Sequence, residues 1–195
     1  MRDPRALAWR LNWYRQSELE GALLLGRMVR HADDPVVIGE LTRHAADEAR
    51  HAWLWERAIV ASGIEHVRIL RSYQSFYADE GVVPQRLAEV LALTHVFERR
   101  VDREFGEEIL DAGLPRAVAQ TFKALLRDEQ RHLGWIAEWL RARPELQPVV
   151  VEYAEVDRRV AARLRPFRDR LWDLPGLGEE LQGASRCLRL TSARR

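Results

Sequence analysis

Proline and glycine interrupt the first 145 residues of this chain at nearly equal intervals. Two intervals begin with an Asp-Pro pair, at Asp3-Pro4 and Asp34-Pro35, which places an N-cap residue before a proline at the first helical position. The other breakpoints are single residues that begin or end helices: Pro84, Pro115, Gly63, Gly113 and Pro144. This spacing predicts four helices, over residues 4–31, 35–62, 84–112 and 115–143, each about 42 Å long.

The connections between these helices limit how they can pack. The first two helices are separated by about three residues and the last two by about two, so each pair should form an antiparallel hairpin. Residues 63–83 can run the full length of a helix at about 3.3 Å per residue. We therefore expect an all-α fold, an antiparallel four-helix bundle of two helical hairpins joined by a long crossover.

The chain after Pro144 forms a second region. Residues 148–165 are amphipathic and predict a fifth, C-terminal helix, packed on the bundle or on a partner, which Pro166 should end or kink. Residues 174–195 should form an irregular tail. We expect residues 1–145 to be the bundle, and residues 146–195 to be the C-terminal helix and a basic tail.

Composition argues against several classes of function. Cys187 is the only cysteine, which excludes a disulfide framework and a cysteine-based zinc or iron–sulfur site. The chain has no run of about 18 apolar residues and no apolar signal-peptide core, so we expect a cytoplasmic protein with no membrane partner. Residues 157–195 carry ten Arg against five acidic residues, but they lack the interleaved aromatic residues of single-strand binders. Nucleic-acid binding is therefore not expected.

A five-residue motif occurs twice and points to the chemistry of the protein. Asp47-Glu48-Ala49-Arg50-His51 returns as Asp128-Glu129-Gln130-Arg131-His132, so both copies read D-E-x-R-H. With this composition, chance gives about 0.005 copies per chain. Glu and His at positions i and i+3 lie on one face of a helix, with their Cβ atoms about 5–6 Å apart. Each copy therefore sets a carboxylate beside an imidazole, as a metal site requires.

Two further glutamates interrupt the apolar stripes of the other two predicted helices. Glu18 fills a gap in the inward stripe of the first helix, and Glu98 lies among mostly apolar positions of the third. Together with Glu48 and Glu129, they stand 13 or 14 residues past the predicted helix starts. Four helices of equal length then place all four carboxylates at one level of the bundle.

Four carboxylates are too costly to bury together without cations, because desolvation and mutual repulsion both oppose it. Two divalent metal ions cancel four negative charges, and His51 and His132 add neutral nitrogen donors. This set of oxygen and nitrogen ligands suits iron or manganese.

The pattern in residues 4–143 resembles the ferritin-like di-iron carboxylate superfamily, and the longer D-E-x-R-H form is similar to that of its oxygen-activating branch. The resemblance implies two bound metals: two iron ions, an iron–manganese pair or two manganese ions. It implies that Glu18 and Glu98 are terminal ligands and that Glu48 and Glu129 bridge, with His51 and His132 one on each metal. It also implies that Asp47 orients His132, that Asp128 orients His51, and that Arg50 and Arg131 pair with those aspartates.

Three more residues are candidates near this site. His44 is four residues before Glu48, and His95 is three before Glu98, so either could be an extra ligand or a proton donor. Tyr14 is four residues before Glu18 and could donate a hydrogen bond or form a radical. Packing in the core is the alternative for all three.

The sequence therefore favours an oxidoreductase that uses the metal pair and O₂ to hydroxylate or otherwise oxidise an organic substrate, with an external electron donor. Two alternatives stay open: a peroxide-scavenging enzyme resembling rubrerythrin or manganese catalase, and a ferroxidase or iron-storage protein. A non-enzymatic bundle that keeps metals for structure is a further one. A homodimer is possible. An apolar cavity about 10 Å long that leads to the metals would favour the oxygenase.

Overall fold

The computed structural model describes residues 3–181, which are mostly helical, as predicted. The helices are α1 (Pro4–Met28), α2 (Pro35–Ala61), α3 (Ser75–Asp79), α4 (Leu87–Glu108), α5 (Arg116–Arg141) and α6 (Gln147–Leu164). Two short strands, β1 (Val67–Ile69) and β2 (Gly178–Glu180), form an antiparallel pair. None of the described helices is long and apolar enough to cross a bilayer.

The first two helices begin where the sequence predicted. The carboxylates of Asp3 and Asp34 accept hydrogen bonds from the backbone N–H groups of Arg5 (2.9 Å) and Val36 (2.8 Å). These are N-caps, which satisfy amide donors that have no partner inside the helix. The last predicted turn of the first helix, residues 29–31, is a 3₁₀ turn.

The third predicted helix is shorter than expected at both ends. It begins at Leu87 rather than Pro84, because the Glu89 carboxylate accepts the backbone N–H groups of Gln85 (2.9 Å) and Arg86 (3.1 Å). It ends at Glu108, well before Gly113. There the Asp111 side chain accepts the backbone N–H of Gly113 at 2.8 Å, which favours a turn over continued helix.

The crossover and the start of the tail contain structure that the sequence analysis missed. Residues 63–83 include β1 and α3 rather than a simple extended strap. β1 pairs with β2, which lies in the segment predicted to be irregular. Gly178 permits this pairing, because a Cβ there would lie 2.5 Å from the carbonyl oxygen of Arg68. The remainder of the predicted tail, 182–195, lies outside the described residues.

Each of the four long helices has a glutamate placed between two buried apolar residues. α1 packs on α2, α4 on α5, and α2 on α5. In each of them a glutamate has a buried apolar residue seven positions before it and another seven after it, which is about two helical turns. These residues are Leu11 and Leu25 around Glu18, Leu41 and Trp55 around Glu48, Leu91 and Phe105 around Glu98, and Phe122 and Ile136 around Glu129.

The eight flanking residues belong to two separate apolar clusters. Leu11, Trp55, Phe105 and Phe122 lie in one cluster, and Leu25, Leu41, Leu91 and Ile136 in the other. The order in which each helix meets them shows that α1 runs opposite to α2, and α4 opposite to α5. It also shows that α2 and α4 run the same way, which requires the long crossover between them. The glutamates occupy the layer between the two clusters.

The predicted fifth helix is α6, which packs on α4 and ends just before Pro166. A buried ion pair fastens the two helices together. Arg100 Nε of α4 donates to both carboxylate oxygens of Asp157 in α6, at 3.0 and 3.1 Å. The hydroxyl of Tyr77 donates to the same carboxylate at 2.5 Å.

We expect Asp157→Ala to lower the free energy of unfolding by about 3–5 kcal/mol, because it leaves the buried Arg100 with only the partly exposed Glu104 as a counter-charge. Glu155→Ala, two residues earlier in α6 in an exposed pair with Arg158, is the matched control and should cost under about 1 kcal/mol. Urea denaturation followed by circular dichroism measures both. Equal losses in the two variants would contradict this account of how α6 is held.

Candidate metal centre

Four carboxylates from four helices meet in the layer between the apolar clusters. Glu18 comes from α1, Glu48 from α2, Glu98 from α4 and Glu129 from α5. The last three are buried, and the Glu18 side chain is 12% exposed. The structure therefore brings together the four glutamates that the sequence placed at one level.

The first imidazole of the centre is His51, which is fully buried. Its Nδ1 lies 3.8 Å from Oε1 of Glu48, 3.8 Å from Oε1 of Glu129 and 4.0 Å from Oε2 of Glu18. No carboxylate oxygen of Glu98 lies within 4 Å of this ring. His51 thus faces three of the four carboxylates.

The second imidazole, His132, is equally buried and faces a different set of three. Its Nδ1 lies 3.5 Å from Oε1 of Glu48, 3.7 Å from Oε2 of Glu129 and 3.9 Å from Oε1 of Glu98. Glu48 and Glu129 are therefore near both imidazoles, whereas the other two glutamates are each near one. The resemblance implied bridging roles for the first two glutamates and terminal roles for the other two, and these roles stay predictions.

The two copies of the motif are tied to each other through their aspartates. Nε2 of His51 lies 3.2 Å from Oδ2 of Asp128, and Nε2 of His132 lies 3.4 Å from Oδ2 of Asp47. These contacts leave Nδ1 of each ring as the atom that faces the carboxylates. The crossed pairing agrees with the roles implied for both aspartates.

The motif arginines form ion pairs with the same two aspartates. Arg50 donates to Asp128 at 2.5 Å, and Arg131 donates to Asp47. Burial raises the pKa of Asp128, but its hydrogen bonds with Arg50 and His51 lower it by more, so the net pKa is below its ordinary value. Asp128 therefore stays ionised and keeps accepting from the imidazole.

Burial and neighbouring charges shift the pKa values of several groups in this layer. Burial, together with the neighbouring Glu48 and a hydrogen bond to it, raises the pKa of Glu18 well above its usual range. Burial and the charge of Glu129 do the same for Glu48. Burial lowers the pKa of His51 to about 4, which keeps that ring neutral at physiological pH.

Several polar atoms in this layer lack a hydrogen-bond partner among the described residues. They are Nδ1 of His51 and of His132, and Oε2 of Glu98 and of Glu129. Buried polar atoms are normally hydrogen-bonded. Here they are lone-pair donors around one small volume, so the residues present fit bound cations.

Two groups of residues could each hold an ion. Glu18, Glu48 and His51 offer ligand atoms that lie within 4.8 Å of one another. His44, Glu48, Glu98 and His132 do the same. The second group includes His44, which the sequence analysis named only as a candidate. Burial lowers the pKa of His44, but the adjacent Glu98 and other acids raise it by more, so the net pKa is raised.

His95 and Tyr14 do not join the centre. His95 is half-buried, and neither of its ring nitrogens lies within 4 Å of a carboxylate oxygen of the described residues. The Tyr14 hydroxyl donates to Oε1 of Glu108 at 2.9 Å. The Tyr14 ring packs on aromatic residues in the cluster that contains Leu11.

Two contacts of the centre were not foreseen. Trp55 Nε1 donates to Oε1 of Glu18 at 3.2 Å, in place of Tyr14. The sequence signal for this contact was the position of Trp55, seven residues after Glu48 and therefore on the same face of α2. Gly21 lies against Glu48, where a Cβ would be 3.1 Å from Oε2. Only a residue without a side chain leaves that carboxylate its full space.

A cavity of about 220 Å³ reaches the centre, and all four glutamates line it. Its walls near them are mostly apolar and include Leu93, Phe97 and Val101 of α4. Arg103 and Arg165, both exposed, also line it, and neither motif aspartate does.

No protein-family model matches this chain, and neither the curated proteins nor the solved structures searched show a significant similarity to it.

We expect Gly21→Ala to weaken metal binding by on the order of tenfold, because the new methyl group displaces the Glu48 carboxylate. Gly26→Ala, five residues further along α1, meets nothing closer than the Ala45 Cβ at 4.0 Å. This control should keep wild-type metal affinity and gain about 0.5–1 kcal/mol of stability. Calorimetric metal titration and urea denaturation measure the two effects. Wild-type affinity in Gly21→Ala would show that the close contact does not position Glu48.

The raised pKa of Glu18 predicts a pH effect in metal-free protein. The folded state holds this proton to higher pH than the unfolded chain, whose pKa is near 4.5. The contribution of Glu18 to stability is therefore complete below that value and lost as pH rises through the folded-state pKa. With chelator present, Glu18→Gln, which stays neutral, should be more stable than wild type at neutral pH, and the difference should shrink towards about pH 4.

Urea midpoints across this pH range test that effect, and added Mn²⁺ provides the second arm. A saturating metal should stabilise wild type more than Glu18→Gln, because the amide supplies no charge. If Glu18→Gln were less stable than wild type at neutral pH without metal, the predicted cost of burying the ionised Glu18 carboxylate would be contradicted.

Proposed function

We propose that this chain is a ferritin-like oxidoreductase with two iron ions, or iron and manganese, that activates O₂ to hydroxylate or otherwise oxidise an organic substrate. The observation that carries the proposal is the layer of four carboxylates and two aspartate-held imidazoles, open on one side to an apolar cavity. The sequence resemblance points to the same chemistry.

The helix directions support the ferritin-like part of the proposal. Two antiparallel hairpins, α1–α2 and α4–α5, are joined by a segment that returns the chain along the bundle, so α2 and α4 are parallel. One long crossover between two hairpins is the connectivity of ferritin-like bundles, which build their metal sites in the bundle core.

The ligand chemistry supports iron or manganese. Four carboxylates carry four negative charges, which two divalent ions would neutralise, and carboxylate-rich sets with some imidazole suit these metals. A structural zinc site is normally tetrahedral and closed. This layer instead opens onto a cavity, which favours a catalytic role over a structural one.

When bound, the metal pair would supply the redox chemistry of oxygen activation, and the chain's own residues would set its conditions. Asp47 and Asp128 hold the motif imidazoles with Nδ1 towards the carboxylates, and such outer contacts fix tautomer and orientation. Trp55 restrains Glu18 by its hydrogen bond. The apolar walls around Phe97 would exclude water and hold a largely apolar substrate against the glutamates.

The cavity also favours substrate oxidation over peroxide disposal. Peroxide needs no organic pocket, whereas a volume of about 220 Å³ beside all four carboxylates accommodates several carbon atoms. The proposed reaction uses O₂ and an external electron donor. Iron storage would require a hollow shell of many subunits, so a monomer or homodimer in size-exclusion chromatography would argue against it.

The metal site is tested by combining Glu48→Ala with Glu129→Ala. Loss of both carboxylates that lie near both imidazoles should reduce bound iron by at least about tenfold, measured by elemental analysis after anaerobic loading with Fe²⁺. A matched control replaces the exposed Glu107 and Glu138 by Ala and should bind wild-type amounts. Full iron binding by the first double variant would contradict the site.

The reaction is tested by mixing the anaerobic Fe²⁺-loaded protein with O₂ in one stopped-flow experiment and with peroxide in another. We expect rapid oxidation by O₂ and, with a reductant present, oxidation of small apolar test substrates. Faster turnover of peroxide than of O₂, with no oxidation of any such substrate, would favour the scavenging enzyme instead. Equal activity after metal removal would contradict both.

A further inference from the structure

A third imidazole lies inside the carboxylate layer. His44 is 1% exposed, and its Nδ1 has no hydrogen bond within the described chain. Its Nε2 lies 2.7 Å from Oε1 of Glu98 and 3.4 Å from Oε1 of Glu48. Its ring stacks on that of His132, with centroids 3.7 Å apart. His44 is therefore in the layer, next to one half of it.

The backbone explains why His44 reaches the layer and His95 does not. Four residues advance a helix by 400°, so His44 is about 40° from the direction of Glu48. Three residues advance it by 300°, which puts His95 about 60° from Glu98 on the other side. The heptad from His44 to His51 also keeps these two rings on one face of α2.

The separations around His44 fit one coordination sphere. Ligand atoms about 2.0–2.2 Å from an ion are about 3 Å apart when adjacent and about 4.2 Å apart when opposite. Nε2 of His44 and Nδ1 of His132 lie 2.7–3.9 Å from Oε1 of Glu48 and of Glu98. The four ligand atoms all lie within 4.8 Å of one another.

The two halves of the layer are consequently unequal. The half at Glu98 has two imidazoles, His44 and His132. The half at Glu18 has one, His51. His44 also differs from the other two rings in its second nitrogen. An aspartate contacts Nε2 of His51 and of His132, whereas Nδ1 of His44 has no hydrogen-bond partner in the described residues.

We propose that His44 is a seventh ligand, so that one metal position has two nitrogen donors and the other has one. This inference rests on the proposed two-metal centre. It makes the positions chemically distinct, since imidazole raises the preference for metals late in the Irving–Williams series. The Glu98 half should take the first Cu²⁺ or Co²⁺ added, and the carboxylate-rich Glu18 half should favour Mn²⁺ or Fe²⁺.

The test compares full-length wild type with His44→Ala, His44→Gln and the control His95→Asn. Metal-free protein is titrated with Co²⁺ by calorimetry under anaerobic conditions. Wild type should bind two Co²⁺ in two steps of different affinity. Both His44 variants should lower the Co²⁺ affinity of the tighter step by at least about 10–100-fold and leave the affinity of the weaker step unchanged. His95→Asn should match wild type in both steps. Circular dichroism confirms that the variants are folded.

The Gln variant separates ligation from hydrogen bonding, because its amide nitrogen lies near the position of Nε2 and can donate to Glu98, but it has no ring nitrogen. Wild-type binding in His44→Gln, with loss in His44→Ala, would overturn the proposal in favour of a hydrogen-bonding role. Wild-type binding in both would overturn it as well. If wild type itself bound no Co²⁺, the two-metal centre would fail, which is a different result from failure of the His44 assignment alone.

A direct count of nitrogen ligands gives a second readout. One Cu²⁺ per chain should show two imidazole nitrogens by pulsed electron paramagnetic resonance in wild type and in His95→Asn. It should show one in both His44 variants. A single nitrogen in wild type would overturn the assignment whatever the affinities are.

Discussion

The interior of the helical bundle depends on one electrostatic constraint: four carboxylates lie in a single layer between two apolar clusters. Such a layer is unfavourable by itself, since burial and mutual repulsion raise the pKa of Glu18 and Glu48. Each glutamate has a buried apolar residue seven positions before it and another seven positions after it. Because these residues pack in the two clusters, the glutamate between them must be buried as well. The apolar packing thus holds the acids in place, and a pair of divalent ions would remove the repulsion.

The contacts outside the layer show how the two copies of the motif depend on each other. Each aspartate accepts from the histidine of the other copy, and each arginine pairs with the aspartate that orients the neighbouring ring. α2 and α5 are therefore tied by charge at the level where the imidazoles must keep Nδ1 inward. Neither copy can orient its own histidine alone, which gives a physical reason for repeating the whole motif rather than Glu and His only.

Much of the arrangement could be predicted from the sequence, and the exceptions have identifiable causes. The Asp-Pro starts of α1 and α2 were correct because local capping decides them. The start of α4 was wrong by three residues because the Glu89 side chain caps Gln85 and Arg86. The β1–β2 pair was missed because strands of three residues, far apart in the chain, have no periodicity to detect. The partner of the Tyr14 hydroxyl was not predicted because Glu108 is distant in sequence.

The sequence by itself determined which residues share a face and a level, since helical period and equal spacing from proline starts are local properties of the chain. It therefore identified the four glutamates and the two motif histidines of the layer, and it named His44 as a candidate. The resemblance added their aspartate and arginine partners. Only the tertiary structure decided what surrounds them. Which indole restrains Glu18 and whether a cavity reaches the carboxylates depend on how neighbouring helices and α6 pack, and no spacing within one helix encodes that.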